Sequence, residues 1–154
     1  MSRARQLRRI RELRLVEEQY QAALLAAGKK QLADLESALH LLRKRQMEGR
    51  DLLVQSCIDG DTVSWITALE EVAILRRKAD ALMAEKPHLE YHVHGLCDRF
   101  IAKRIERRQA ESILSSVLEE ETKRGERQSQ ATLDEWYRAE RRRFALASSG
   151  APDA

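Results

Sequence analysis

Between Trp65 and Phe100, apolar residues recur at alternating steps of three and four. They are Trp65, Ala68, Val72, Leu75, Ala79, Leu82, Leu89, Val93, Leu96 and Phe100, with Lys86 as the one polar residue in phase. A 3.5-residue repeat kept over this length describes a helix whose apolar seam needs a second helix against it. It does not describe a self-contained globular core.

The first third of the chain supplies the partner. Residues 2–57 read as one helix, in which Leu32, Leu35, Leu39, Leu42, Gln46, Gly49 and Leu53 hold the same spacing. Leu13, Val16, Tyr20 and Ala27 form an earlier seam, out of phase near Gly28, which reads as a stutter in the supercoil. Residues 58–64 contain Asp59-Gly60, a chain-reversal signal, and Asp61, Thr62 or Ser64 can cap the helix that follows. A short loop between long helices makes them antiparallel. If facing residue numbers add to about 121, a and d positions meet along the whole pair. Leu39 then faces Leu82, Leu42 faces Ala79, Gln46 faces Leu75 and Leu53 faces Ala68.

The second helix is expected over about residues 64–146. Pro87 removes one backbone bond, but the heptad phase runs straight through it, so a kink in one helix is favoured over a break. About 28 residues of this helix overhang the first, and residues 148–154 read as a disordered tail. The expected fold is all-α: one domain over residues 1–147, a long antiparallel two-helix coiled-coil hairpin with the second helix longer and overhanging.

Composition agrees with this pattern. Of 154 residues, 34% are charged and 5% aromatic, with only six Gly and two Pro, a balance typical of long helices. The net charge of +3 conceals basic ends. Arg3, Arg5, Arg8, Arg9, Arg11 and Arg14 stand against Glu12, and Arg138, Arg141, Arg142 and Arg143 against Glu140. No apolar run approaches the roughly 20 residues that span a bilayer, and no signal-peptide apolar region follows the first arginines, so the cytoplasm is the expected compartment.

The chemistry of catalysis is not visible. The chain has no phosphate-binding glycine loop, no GxGxxG and no GxSxG. His88 and His92 are four apart beside Glu85, but they fall at outward positions with no third and fourth ligand, so no metal and no cofactor is expected. Cys57 sits beside the turn and Cys97 roughly 50 Å along the second helix, too far for a bridge. The expectation is that the protein is not an enzyme. Binding remains. The N-terminal arginines suit carboxylate or phosphate contacts, but they lack the stacking aromatics of a nucleic-acid reader. Leu133, Trp136, Tyr137 and Phe144, flanked by arginines, have the character of interface anchors.

The opening stretch RRIRELRLVEEQYQAALLAA, the turn at about one third of the length, and then KRIERRQAESIL and LDEWYRAERRR in the longer helix together resemble a known family. This is the family of stalk proteins of bacterial flagellar and type III secretion export machines (the FliJ/YscO type). The resemblance covers nearly the whole chain, and its most distinctive part is the Arg-Gln-x-Glu stretch followed by Leu133-Asp134-Glu135-Trp136. It implies a cytoplasmic coiled coil, peripheral to the inner-membrane export apparatus. Such a stalk docks into the hexameric secretion ATPase, promotes its activity and links it to the membrane export gate, and some members escort secretion chaperones. By this resemblance Arg5, Arg8, Arg9, Arg11, Arg141, Arg142 and Arg143 would contact the ATPase ring. Trp65, Ile66 and Leu69 would face the export gate. No nucleic acid and no direct membrane insertion is expected. The alternative is a generic coiled-coil adaptor or chaperone that oligomerises through its second helix.

Overall fold

The computed structural model describes residues 3–149. They form two helices, α1 (Arg3–Asp59) and α2 (Thr62–Ser149), packed against each other as an all-α hairpin. The reversal is tighter than residues 58–64. Ile58 and Asp59 still belong to α1, Thr62 and Val63 already belong to α2, and only Gly60 and Asp61 lie between. Gly60 has φ 70°, the left-handed conformation that a side chain disfavours. The Asp61 N–H then donates to the Ser56 carbonyl at 3.0 Å, the six-to-one bond that closes a helix C-terminus around a left-handed glycine. The same Asp61 caps α2. Its carboxylate accepts from the Ser64 N–H at 3.2 Å and from the Ser64 hydroxyl, and its carbonyl accepts the first helical bond, from Trp65 N–H at 3.0 Å. Ending one helix and starting the next takes two residues.

At the other end α2 continues through Ser148 and Ser149, two residues expected in the tail. The rest of that expected tail, residues 150–154, lies outside the described residues. Pro87 is exposed and inside α2, which runs through it unbroken. The carbonyl left without its N–H partner therefore lies on a wet face, where water can take its place.

Two compact units divide the chain: Arg14–Glu106, and the residues before and after it. In Arg14–Glu106 the seam follows the register of about 121. Leu35, Leu39 and Ala79 are buried together, with Leu42, Leu82 and Leu89 packed against them. Gly28 and Gly49 are the close-approach positions. A Cβ on Gly49 would stand 2.7 Å from Val72 Cγ2, and one on Gly28 2.9 Å from Leu96 Cδ1 and 3.4 Å from Val93 Cγ2. Lys86 stays in phase by laying its stem along the seam and carrying its ammonium to Glu36, 3.5 Å away, and to Glu90 at 3.7 Å.

Two readings of the seam are corrected. There is no stutter at Gly28. The covered positions run in one phase from Arg14 through Glu18, Gln21, Leu25 and Gly28 to Leu32, while Val16 and Tyr20 are 60% and 62% exposed and Ala27 is exposed too. The apolar stripe suggested by Val16 and Tyr20 lies on the outer face, because the unbroken phase of α2 selects the polar stripe instead and pairs its first member, Arg14, with Glu106. Likewise Trp65, expected inward, is 40% exposed, since it stands within one turn of the start of α2 and no further turn covers its indole. Ala68 is the first fully covered seam residue of α2.

In the second unit, Ala4 of α1 and Ala110, Leu114 and Val117 of α2 are buried. Leu13, in the proposed early seam, is 58% exposed here. From Glu119 to Ser148 every residue is exposed except the half-buried Glu140.

The glycines give a direct test of this packing. Gly125→Ala meets nothing within 4 Å and gains about 1 kcal/mol of helix propensity, so it raises the unfolding midpoint. Gly49→Ala gains the same propensity but collides with the stiff Val72, so it lowers the midpoint, and Val72→Ala added to it restores stability. Equal stabilisation by both alanines in urea unfolding is incompatible with a close approach at Gly49.

Candidate partner-binding surfaces

Charged side chains replace apolar ones in part of the seam. Within Arg14–Glu106, a quartet alternates in sign across the two helices. Arg14 reaches Glu17 at 2.8 Å and Glu106 at 2.6 Å, and Lys103 reaches Glu17 at 3.4 Å and Glu106 at 3.0 Å. The hydrogen bond from Arg14 holds Glu17 below the usual carboxylate range, helped by Lys103. In return Arg14 is raised, first by its bond to Glu17 and then by the charge of Glu106, and Lys103 is raised chiefly by its bond to Glu106. Beside the quartet, the buried Oε1 of Gln21 has no hydrogen-bond donor among the described residues.

The second unit has its own charged layer. Glu111 accepts from Arg107 at 2.7 Å and from Arg11 at 3.4 Å, and its pKa is lowered, with the Arg107 bond as the largest cause. Arg11, expected to face a partner, is therefore engaged inside the chain. Arg5, Arg8 and Arg9 are exposed, as are Arg141, Arg142 and Arg143. No acidic residue occupies the first turn of α1, so Arg3 and Arg5 oppose the helix dipole, and neighbours such as Arg5 and Arg9 repel at helical spacing. Arg3, Arg5 and Arg9 therefore do not serve the stability of the helix that carries them.

The apolar residues expected to act as anchors stand in the same unit. Leu133, Trp136, Tyr137 and Phe144 are 56%, 57%, 60% and 72% exposed, and α1 covers none of them. The Trp136 and Tyr137 rings meet edge to face, 5.2 Å between centroids at 75°, so the two form one aromatic platform.

Around the turn, in the other unit, Trp65, Ile66 and Leu69 are 40%, 47% and 45% exposed. Val54, Ile58 and Val63 of the same stretch are exposed as well, which the sequence reading missed. The signal was present in the apolar residues that flank Asp59-Gly60-Asp61 where a solvated turn needs none.

Of the histidines, His88 and His92 are exposed and His94 lies 3.6 Å from Asp98. Among the described residues no group of three His, Cys, Asp or Glu side chains is placed to hold a metal ion. Cys57 is exposed and Cys97 half-buried, and both are free thiols. No described helix is long and apolar enough to cross a membrane. The sequence matches no protein-family model, and neither the curated proteins nor the solved structures contain a match.

The charged layers make the pairing of the helices responsive to pH. Glu17 and Glu111 are lowered on folding, so their contribution is present above the unfolded carboxylate pKa and lost as pH falls through the folded value. Arg14 and Lys103 are raised, so theirs is full below the unfolded values and lost only in strong alkali. The thermal midpoint of the wild type therefore drops between neutral pH and pH 3, and that of Glu17→Gln/Glu111→Gln drops less. Parallel pH curves for the two proteins would remove the ion pairs from the account.

Proposed function

We propose that this chain is a non-enzymatic stalk of a bacterial type III secretion or flagellar export machine. In this reading it docks into the hexameric export ATPase, promotes its activity and connects it to the membrane export gate. The observation that carries the reading is two sets of exposed side chains in one unit that do nothing for the chain's own packing. One is Arg5, Arg8 and Arg9 on α1, and the other, further along α2, is the uncovered Leu133, Trp136, Tyr137 and Phe144 beside Arg141, Arg142 and Arg143. Arginine forks beside aromatic anchors fit a protein surface with acidic loops around apolar pockets, the chemistry expected of an ATPase ring entrance. The apolar turn offers a second binding end in the other unit, as a linking element requires. The resemblance in the Arg-rich and LDEWYRAERRR stretches supports the same assignment. The protein would act in the cytoplasm, peripheral to the inner membrane, with secretion chaperones as further partners.

Arg8→Glu/Arg9→Glu is expected to abolish stimulation of the export ATPase at low salt while leaving helicity unchanged. Wild-type stimulation should weaken as salt rises, since the docking charges are solvent-exposed. Full stimulation by the reversed variant would rule out docking through the basic end.

The exposed stripe of α2 also favours a second reading, an adaptor that oligomerises through this helix. Under that reading, mass in light scattering rises with concentration and Trp136→Ala/Phe144→Ala returns it to the monomer value. The stalk reading expects a monomer throughout.

A further inference from the structure

The turn carries a charge pattern found nowhere else in the chain. Although the chain holds 28 Lys and Arg, none falls between Arg50 and Arg76, whereas Asp51, Asp59, Asp61, Glu70 and Glu71 all do. The same interval exposes Val54, Ile58, Val63, Ile66 and Leu69 at 62%, 73%, 76%, 47% and 45%.

The register places these apolar residues together. With Leu53 and Ser56 at inward positions of α1 and Ala68 and Val72 at those of α2, Val54 and Cys57 project to one flank of α1. Ile66 and Leu69 project to the adjoining flank of α2, because antiparallel helices bring like flanking positions together. Ile58 and Val63 close the patch at the turn. Asp51 and Glu70 fall at outer positions next to Val54 and Ile66 and border the patch, Arg50 closes its flank at the end away from the turn, and Asp59 and Glu71 fall on the opposite flank. An exposed apolar surface with a polar border is a docking surface.

We infer that this flank of the turn docks into a protein partner that presents an apolar groove edged with lysine or arginine. The proposal rests on reading the turn as a partner-binding end, and it supplies the chemistry of that partner. The charge pattern selects the occupant. An anionic bilayer repels carboxylates, and the turn of a second copy brings like charge against like charge. A basic-edged groove attracts the border and receives the apolar centre. Such contact is opposite in sign to that of the arginine-rich termini, so one chain distinguishes two partners by charge.

Zero-length carbodiimide coupling of the full-length protein in native cell extract tests this. The reagent joins a carboxylate to a lysine amine as an amide only where the two already touch. The expected product links Asp51 or Glu70 to a lysine of a different protein, as read by mass spectrometry of the joined peptides. Asp51→Lys/Glu70→Lys and, separately, Ile66→Asp should each reduce that partner's capture about tenfold or more. Ile66→Ser, milder at an exposed helical position, should reduce it less, with helicity unchanged in all three. Arg8→Glu/Arg9→Glu should leave the product intact, so this test fails or succeeds apart from ATPase docking. Three results would each overturn the proposal: products confined to lysines of this chain, capture indifferent to the turn variants, or tight sedimentation with phosphatidylglycerol vesicles that the lysine variant strengthens.

Discussion

Two helices lying side by side shield only the stripe where they touch, and every other property of this protein follows from how little that stripe hides. Leu35, Leu39 and Ala79, with Leu42, Leu82 and Leu89, form a core one side chain deep. With so thin a core, stability depends on proximity rather than bulk. Gly49 against Val72 and Gly28 against Leu96 draw the helices together at positions where an ordinary side chain would hold them apart. The usual cost of glycine in a helix is offset by closer contact along the seam.

The same geometry explains why charge enters the seam without penalty. At Arg14, Glu17, Lys103 and Glu106 the side chains remain partly in water, so their desolvation is small and their pairing needs only to be sufficient. An apolar seam slides easily by a heptad, whereas an alternating quartet has one arrangement in which all four neighbours differ in sign. The charged layer therefore serves register more than strength. Lys86 bridging Glu36 and Glu90 has the same role further along.

The fold was legible because the long spacing from Ala68 to Phe100 admits one interpretation, and Asp59-Gly60 marks the only reversal it allows. The first turns of α1 were not. There Val16 and Tyr20 offer an apolar stripe, and Arg14, Glu18 and Gln21 a polar one, and hydrophobicity alone selects the wrong stripe. What decides is the partner across the gap, Lys103 and Glu106, which no reading of one helix contains. Trp65 was misplaced for another reason: a heptad position in the first turn of a helix has no preceding turn to help cover a large side chain. The exposure of Leu133, Trp136, Tyr137 and Phe144 was visible in advance because they lie beyond any facing described residue. The carboxylate-bordered patch was not, because it emerges only when flanks of two helices are superposed.

Asp61 finishes α1 and begins α2 within the same few atoms. A reversal built this way has no slack to absorb a change in length. One residue inserted beside it would turn the following helix by about 100° and carry Ala68 off the seam. In such a hairpin, length is quantised: a viable longer or shorter relative must gain or lose whole heptads, in equal number on both strands of the pair, or else vary past Val117, where no described residue of α1 faces α2.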